Sequence, residues 1–307
     1  MVRGTFVERD SDPHVALRGA LLDSGRRLPA PRAAVPRVRP GGLAEASAGQ
    51  LAAHGLFLGV LDTPLDDDGF IAFGDGLGEL IPETDPAVRA HTAQQVLLNL
   101  SAVHSRTDDV SLQPFAEGPL TLHSEGSGRA VAEQPRHIAL MCCDPGRPAG
   151  HADGAEHTPA QTVLVPMAAV HEALTPAQRA LLRVTRYRSD HPVPTVLREA
   201  GGRPVFSFRD FDAAPLHWES DTDDGTAAEV NDAFRALLAA MYAPETAAAV
   251  HWARGTVAVI DNTYFFHGRT AGTAVVSAAA DTTAQQTGSQ RHLKRLRIRA
   301  TRPEGER

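Results

Sequence analysis

The chain has 307 residues, 42% of them hydrophobic and 22% charged, with a formal net charge of −7. That composition suits a soluble globular protein with ample material for a core, and a barrel or sandwich of this length is routinely one domain, here taken as 1–307. The acidic balance leaves no electrostatic footprint for nucleic acid. No apolar run reaches the roughly 18 residues of a membrane span. Met1-Val2-Arg3-Gly4 lacks the apolar segment of a signal peptide. The two cysteines, Cys142 and Cys143, are adjacent in an apolar run and read as reduced structural thiols of a cytoplasmic protein.

Residues 1–42 carry many Arg and Pro and read as an irregular lead-in with one short helix near Val15 to Leu22. Leu43 to His54 is a helix, with Gly55 placed to stop it in the left-handed conformation. Leu56 to Leu61 reads as a buried strand, and Phe70 to Leu80 as a short helix weakened by its glycines. Alternation over Leu98 to Ala102 favours a strand, and Ile138 to Cys143 is another. The Gly- and Pro-bearing stretch 144–161 reads as a long loop before the strand Thr162 to Val165, with His151 and His157 as loop residues. Thr175-Pro176-Ala177-Gln178 opens a helix with a Thr cap, Pro in the first turn and Gln three residues on. Val205 to Phe208 is a short strand. Thr226-Ala227-Ala228-Glu229 is a capping box before a helix burying Val230, Phe234, Leu237 and Met241 at a 3.6 period. Thr256 to Ile260 is a strand running into the Asp261-Asn262 turn. Residues 271–290, rich in Ala, Thr, Ser and Gln, read as a mobile loop. Arg295 to Arg299 alternates and reads as a strand with one wet face. Many short strands with a few amphipathic helices indicate an α+β protein whose core is a double-sheet jelly roll (a double-stranded β-helix) flanked by helices.

The chemistry concentrates at His123-Ser124-Glu125, which follows the apolar run Pro119 to Leu122. Alternate residues of a strand point the same way, so His123 and Glu125 project an imidazole and a carboxylate into one space. A third ligand is needed, and His267 in Asp261-Asn262-Thr263-Tyr264-Phe265-Phe266-His267-Gly268-Arg269 is the candidate. Two His and one carboxylate with open positions form the facial triad of non-haem Fe(II) oxygenases. Alone, H-x-E is a weak signal in a chain with 14 His.

Four pieces stand in order: Pro119-Leu120-Thr121-Leu122-His123-Ser124-Glu125, Thr162, Asp261 to Arg269, and Arg291-His292-Leu293-Lys294-Arg295. Together they resemble the clavaminate synthase-like branch of the Fe(II)/2-oxoglutarate dioxygenases, relatives of taurine dioxygenase, over roughly residues 50–300. The resemblance implies Fe(II) held by His123, Glu125 and His267, and 2-oxoglutarate anchored by Arg291 with help from Thr162. A dicarboxylate cosubstrate suits a planar guanidinium fork that stays charged. The long loop before Thr162 leaves Thr158 as an alternative, and the long spacer after His267 leaves Arg295 as a second anchor. The resemblance further implies that O2 is consumed as 2-oxoglutarate is oxidatively decarboxylated to succinate and CO2. Halogenases of the superfamily replace the carboxylate ligand with a small residue. Glu125 is retained, which favours hydroxylation, desaturation or ring closure.

The branch oxidises amino acids, free or within small natural-product scaffolds, so the expected partner is a small amino-acid-type molecule. Glu219 and Asp221, in the acidic turn 219–224, fall where basic-amino-acid hydroxylases of this kind place carboxylates, which suggests an Arg or Lys substrate. The same acids complement the positive end of the following helix. A non-catalytic binding module of the same fold and a zinc hydrolase are the rival readings. The intact ligands and Arg291 argue against the first, and a zinc hydrolase using the same triad would not need Arg291 and would carry a general-base motif that is not seen here.

Overall fold

The computed structural model describes residues 1–23, 25–101, 109, 112–116, 118–146, 159–222, 225–271 and 291–300. The amino-terminal third holds β1 (Val2–Phe6), α1 (Pro13–Leu22), α2 (Leu43–His54), β2 (Leu56–Val60), α3 (Asp67–Asp75), β3 (Glu79–Leu80), α4 (Pro86–Arg89), β4 (Thr92–Ala93) and β5 (Leu97–Ser101). The middle holds β6 (Leu120–His123), β7 (His137–Asp144), β8 (Thr162–Pro166), α5 (Met167–Ala173), α6 (Pro176–Val184), β9 (Thr185–Tyr187), β10 (Leu197–Ala200) and β11 (Arg203–Phe206). Then come β12 (Leu216–Ser220), α7 (Ala227–Met241), β13 (Ala248–Val250), β14 (Thr256–Asp261), β15 (Phe265–Arg269) and β16 (His292–Arg299).

Two antiparallel sheets make the jelly roll. The larger runs β2-β14-β7-β16-β5-β4, with β3 also on β16, and the smaller runs β13-β8-β15-β6. Side-chain alternation sorts the core into three layers. Leu98, Leu100, Ile138, Leu140, Ile260 and Leu293 of the larger sheet meet Leu164 and Val250 of the smaller one between the sheets. The opposite face of the larger sheet, with Met141, Val259 and Leu296, packs under Leu43, Leu51, Phe70 and Phe73 of α2 and α3. The outer face of the smaller sheet, with Leu122, Val163 and Phe266, packs under Val230, Phe234 and Leu237 of α7. Burying a side chain of this size contributes roughly 1.5–3 kcal/mol.

Local signals place most elements. Gly55 ends α2 at φ 67° with its N–H on the Leu51 carbonyl. Thr175 and Thr226 both form full capping boxes, with Gln178 and Glu229. Burial pushes the Cys142 thiol up to about 12, so it is an inert core residue.

Three expectations need correction. The lead-in is not irregular from the start: β1 pairs with β12 from Val2↔Ser220 to Phe6↔Leu216. Gly4 lies so close to the Trp218 ring that a Cβ would sit 2.3 Å from it, which explains the glycine there. The helix expected from Phe70 to Leu80 runs instead over Asp67–Asp75, because the Asp66 side chain accepts from Gly69 N and starts it earlier. Its expected end is strand, pairing Leu80 with Ile298. Finally, β16 is not wet along one whole face. On the face expected to be wet, Arg295 and Arg297 are buried against Glu125 and Glu83, and only Arg299, paired with the exposed Glu79, stays part-exposed. The expected loop at 271–290 falls, after Ala271, outside the described residues, as do Thr158, His151 and His157. No described helix is long and apolar enough to cross a membrane.

Candidate active site

His123 ends β6 and lies directly opposite His267 of β15 in the antiparallel register. Their ring centroids are 4.3 Å apart. Glu125 lies just past the strand end, its Oε2 3.6 Å from His123 Nε2 and 3.8 Å from His267 Nε2. Both distances exceed a hydrogen bond, yet the three ligand atoms lie within 4.8 Å of one another, so one ion can reach them all. His123 Nδ1 is 2.8 Å from the Thr121 carbonyl, which fixes the proton on that nitrogen and leaves the Nε2 lone pair available to a metal.

The electrostatics suit ligation. Burial opposes ionisation of Glu125, but Arg295 and the two imidazoles hold its carboxyl well below the usual range. Burial, reinforced by His123, pushes His267 down to about 4, so it is neutral at physiological pH. A neutral imidazole and an ionised carboxylate are the metal-binding forms.

Asn262 holds this geometry in place. Its Oδ1 accepts from Glu125 N at 2.8 Å, and its Nδ2 donates to the Glu125 and Pro135 carbonyls at 3.0 Å each. Asp261 beside it pairs with Arg136 at 2.6 Å and accepts from Thr263 N and Oγ1, which shapes the turn into β15. The sequence reading singled out this Asp-Asn pair as a motif without assigning it a task. The turn propensity of Asp and Asn was the available signal.

Arg269, two residues past His267, serves a backbone clamp. Its donors reach the carbonyls of Gln113, Pro114, Ala116 and Gly118 at 2.7–3.1 Å, fixing the approach to β6. Burial and the nearby Arg291 push it down to about 9. Thr162 faces Arg269 across the β8–β15 ladder, one same-face step, roughly 7 Å, beyond the level of His267. Its Oγ1 accepts from Trp252 Nε1 at 3.1 Å. Arg291 immediately precedes β16, with its backbone beside Gly146, and its charge is felt by both Arg269 and Cys142. Burial pushes Arg291 down to about 10, and among the described residues it has no carboxylate partner.

Arg295 and Arg297 turn toward the metal site. Arg295 Nη1 is 3.7 Å from Glu125 Oε2, while Arg297 donates to Glu83 at 2.8 Å and lies 3.9 Å from Glu125 Oε1. Glu219 and Asp221 are elsewhere engaged. Both bind Arg186, at 2.9 Å each, and Glu219 also lies 3.6 Å from Arg3. No described contact links either acid to the His-Glu-His group.

A protein-family model described as taurine catabolism dioxygenase TauD, TfdA family, matches residues 38–297. The chain belongs to this family. It is an Fe(II)/2-oxoglutarate-dependent dioxygenase, with O2 as the oxidising co-substrate. No curated protein sequence matches it. Among solved structures, it is similar to asparagine oxygenase in complex with Fe(II), 2S,3S-3-hydroxyasparagine and succinate (19% identity, 85% of this chain and 80% of that one, TM-score 0.56). It is also similar to PvcB from Pseudomonas aeruginosa (17%, 97% and 92%, 0.56). A third is the non-heme iron oxygenase OrfP in complex with Fe, succinate and (3S)-hydroxy-L-Arg (16%, 85% and 80%, 0.56). At these identities the likeness establishes the jelly-roll fold.

Proposed function

We propose that this dioxygenase hydroxylates an amino acid, or an amino-acid-derived natural-product intermediate, in a single catalytic domain with Fe(II) on His123, Glu125 and His267. The observation that carries the reading is the conjunction of that His-Glu-His group with Arg291, a largely desolvated guanidinium that has no carboxylate partner among the described residues. When bound, Fe(II) supplies the site at which 2-oxoglutarate and O2 react, yielding succinate, CO2 and an oxidised substrate.

The chain's own residues do the rest. Arg291 binds the distal carboxylate of 2-oxoglutarate, a charge-assisted pairing that compensates both partners for leaving water. The Thr162 hydroxyl lies at the neighbouring level and assists it. Leu164, opposite His267, and Leu293 on the facing sheet are buried apolar residues that keep water from the space between the anchor and the ligands. Asn262 keeps the Glu125 backbone still, and the Thr121 carbonyl keeps the His123 proton away from the ligand nitrogen.

The amino-acid reading draws on the products named with similar structures, hydroxyasparagine and hydroxyarginine. A basic side chain held by Glu219 and Asp221 would have to compete with Arg186, which bonds to both acids, and with Arg3 beside Glu219. The test is anaerobic reconstitution with Fe(II) and 2-oxoglutarate, followed by O2 and a panel of amino acids read by mass. A gain of one oxygen atom in one amino acid, with matching succinate, is expected. Succinate-free turnover, or no oxidation of any amino acid or its derivatives, contradicts the proposal.

A further inference from the structure

We infer that Arg209 binds the substrate's carboxylate beside the metal ligands, an assignment that rests on the amino-acid reading above. His123 and Arg209 face each other across an antiparallel bridge at the free edge of β6. The flanking backbone bonds run from Ser124 N to the Phe208 carbonyl (2.8 Å) and from Asp210 N to the Leu122 carbonyl (3.0 Å). Residues 123 and 209 are therefore a non-hydrogen-bonded pair. In that register the opposed Cα atoms approach to about 4.5 Å, with both side chains on one face.

The face is settled by the neighbours. Leu122 and Phe208 both belong to the cluster under α7, so His123 and Arg209 point the other way, toward the ligand site. Arg209 stands next to a metal ligand, on the side away from His267.

Its guanidinium is held but not neutralised. One Nη2 contact goes to Gln113 Oε1 at 3.3 Å, the Phe211 ring centroid is 5.6 Å away, and Nε is buried without an acceptor. Among the described residues no carboxylate pairs with it. The other inward arginines are engaged: Arg295 with Glu125, Arg297 with Glu83, and Arg269 with four carbonyls. Arg291 is taken by the cosubstrate in the proposal above. A cation placed at the site without its anion needs one supplied by a ligand, and the guanidinium fork matches a carboxylate bidentately. The head group is also pre-positioned. Gln113, which accepts from Nη2, lies on the segment that Arg269 clamps, and the Arg209 backbone N–H donates to the Tyr187 hydroxyl at 2.8 Å, which fixes the main chain beneath it. Little ordering remains to be done when the substrate arrives.

The experiment titrates the anaerobic Fe(II)–2-oxoglutarate protein with the twenty common amino acids, then with the carboxamide of the tightest binder. Wild type should bind the acid 10- to 100-fold more tightly than the amide. Arg209→Gln should bring the acid to the amide's affinity while leaving 2-oxoglutarate affinity within twofold. Arg209→Lys, which keeps the charge without the fork, should give an intermediate ratio and serves as the reading if the Gln variant does not fold. An acid-over-amide ratio unchanged in either folded variant overturns the role of Arg209 alone. Failure of wild type to bind any amino acid or amino-acid derivative overturns the amino-acid reading and this assignment with it.

Discussion

Replacing Asn262 tests how the fold builds its metal site. The side chain is 3% exposed and makes three hydrogen bonds, to Glu125 N, Glu125 O and Pro135 O. At about 1 kcal/mol net for each lost bond, Asn262→Ala should destabilise the metal-free protein by about 3 kcal/mol. Releasing Glu125 should also lower Fe(II) affinity, by the roughly 10- to 100-fold typical when a group that orients a ligand is lost. Asn262→Asp keeps the acceptor for Glu125 N but sets a carboxylate against two carbonyls, so it should not rescue either property. Denaturant titration of the metal-free protein and anaerobic Fe(II) titration separate the two effects. A variant destabilised by about 3 kcal/mol that binds Fe(II) within twofold of wild type would refute the reasoning, leaving Asn262 as a turn residue only.

Arg291→Gln should weaken 2-oxoglutarate binding at least tenfold while leaving Fe(II) affinity unchanged. If Arg295→Gln alone does this, the anchor has been misassigned. The double variant Glu219→Gln, Asp221→Asn removes part-exposed ion pairs worth about 0.2–1 kcal/mol each, so it should leave substrate selectivity and turnover unchanged. A switch from basic to neutral substrates in that variant would restore the acid pair to the active site. For pH, His267 has its pKa depressed from 6.5 to about 4, chiefly by burial, so the folded metal-free protein takes up this proton less readily than the unfolded chain. Its contribution to stability is complete above pH 6.5 and is lost as pH falls toward about 4. His267→Leu should flatten that part of the stability–pH curve measured by urea midpoints.

Most local signals were read as the structure has them, the Asp66 cap that starts α3 being an exception. Two capping boxes, the Gly55 stop and the 3.6 period of Val230 to Met241 all depend on residues within a few positions. The jelly roll followed from the density of short strands, and the ligand group from two short motifs that the β6–β15 register brings together. Long-range pairing was not legible. Nothing near Val2 to Phe6 announces a partner strand more than 200 residues away. The alternation of Arg295, Arg297 and Arg299 fits a solvated face equally well. What turns the first two inward is the carboxylates of Glu125 and Glu83, which come from other elements. Glu219 and Asp221 were read from their charge and from where the resemblance places carboxylates, and their partner Arg186 lies on a strand whose pairing with β12 the sequence did not reveal. Arg209 went unremarked for the same reason, since its significance depends on facing His123.

The central claim is that His123, Glu125 and His267 together hold the Fe(II) that couples 2-oxoglutarate to O2. The most direct measurement is succinate formed per protein after Fe(II) reconstitution, for wild type and for His267→Ala, with the amino-acid panel present. The account predicts O2-dependent succinate from wild type, abolished when Fe(II) or 2-oxoglutarate is omitted and absent in the variant. Succinate formation by His267→Ala at the wild-type rate, or none from iron-loaded wild type, would contradict it.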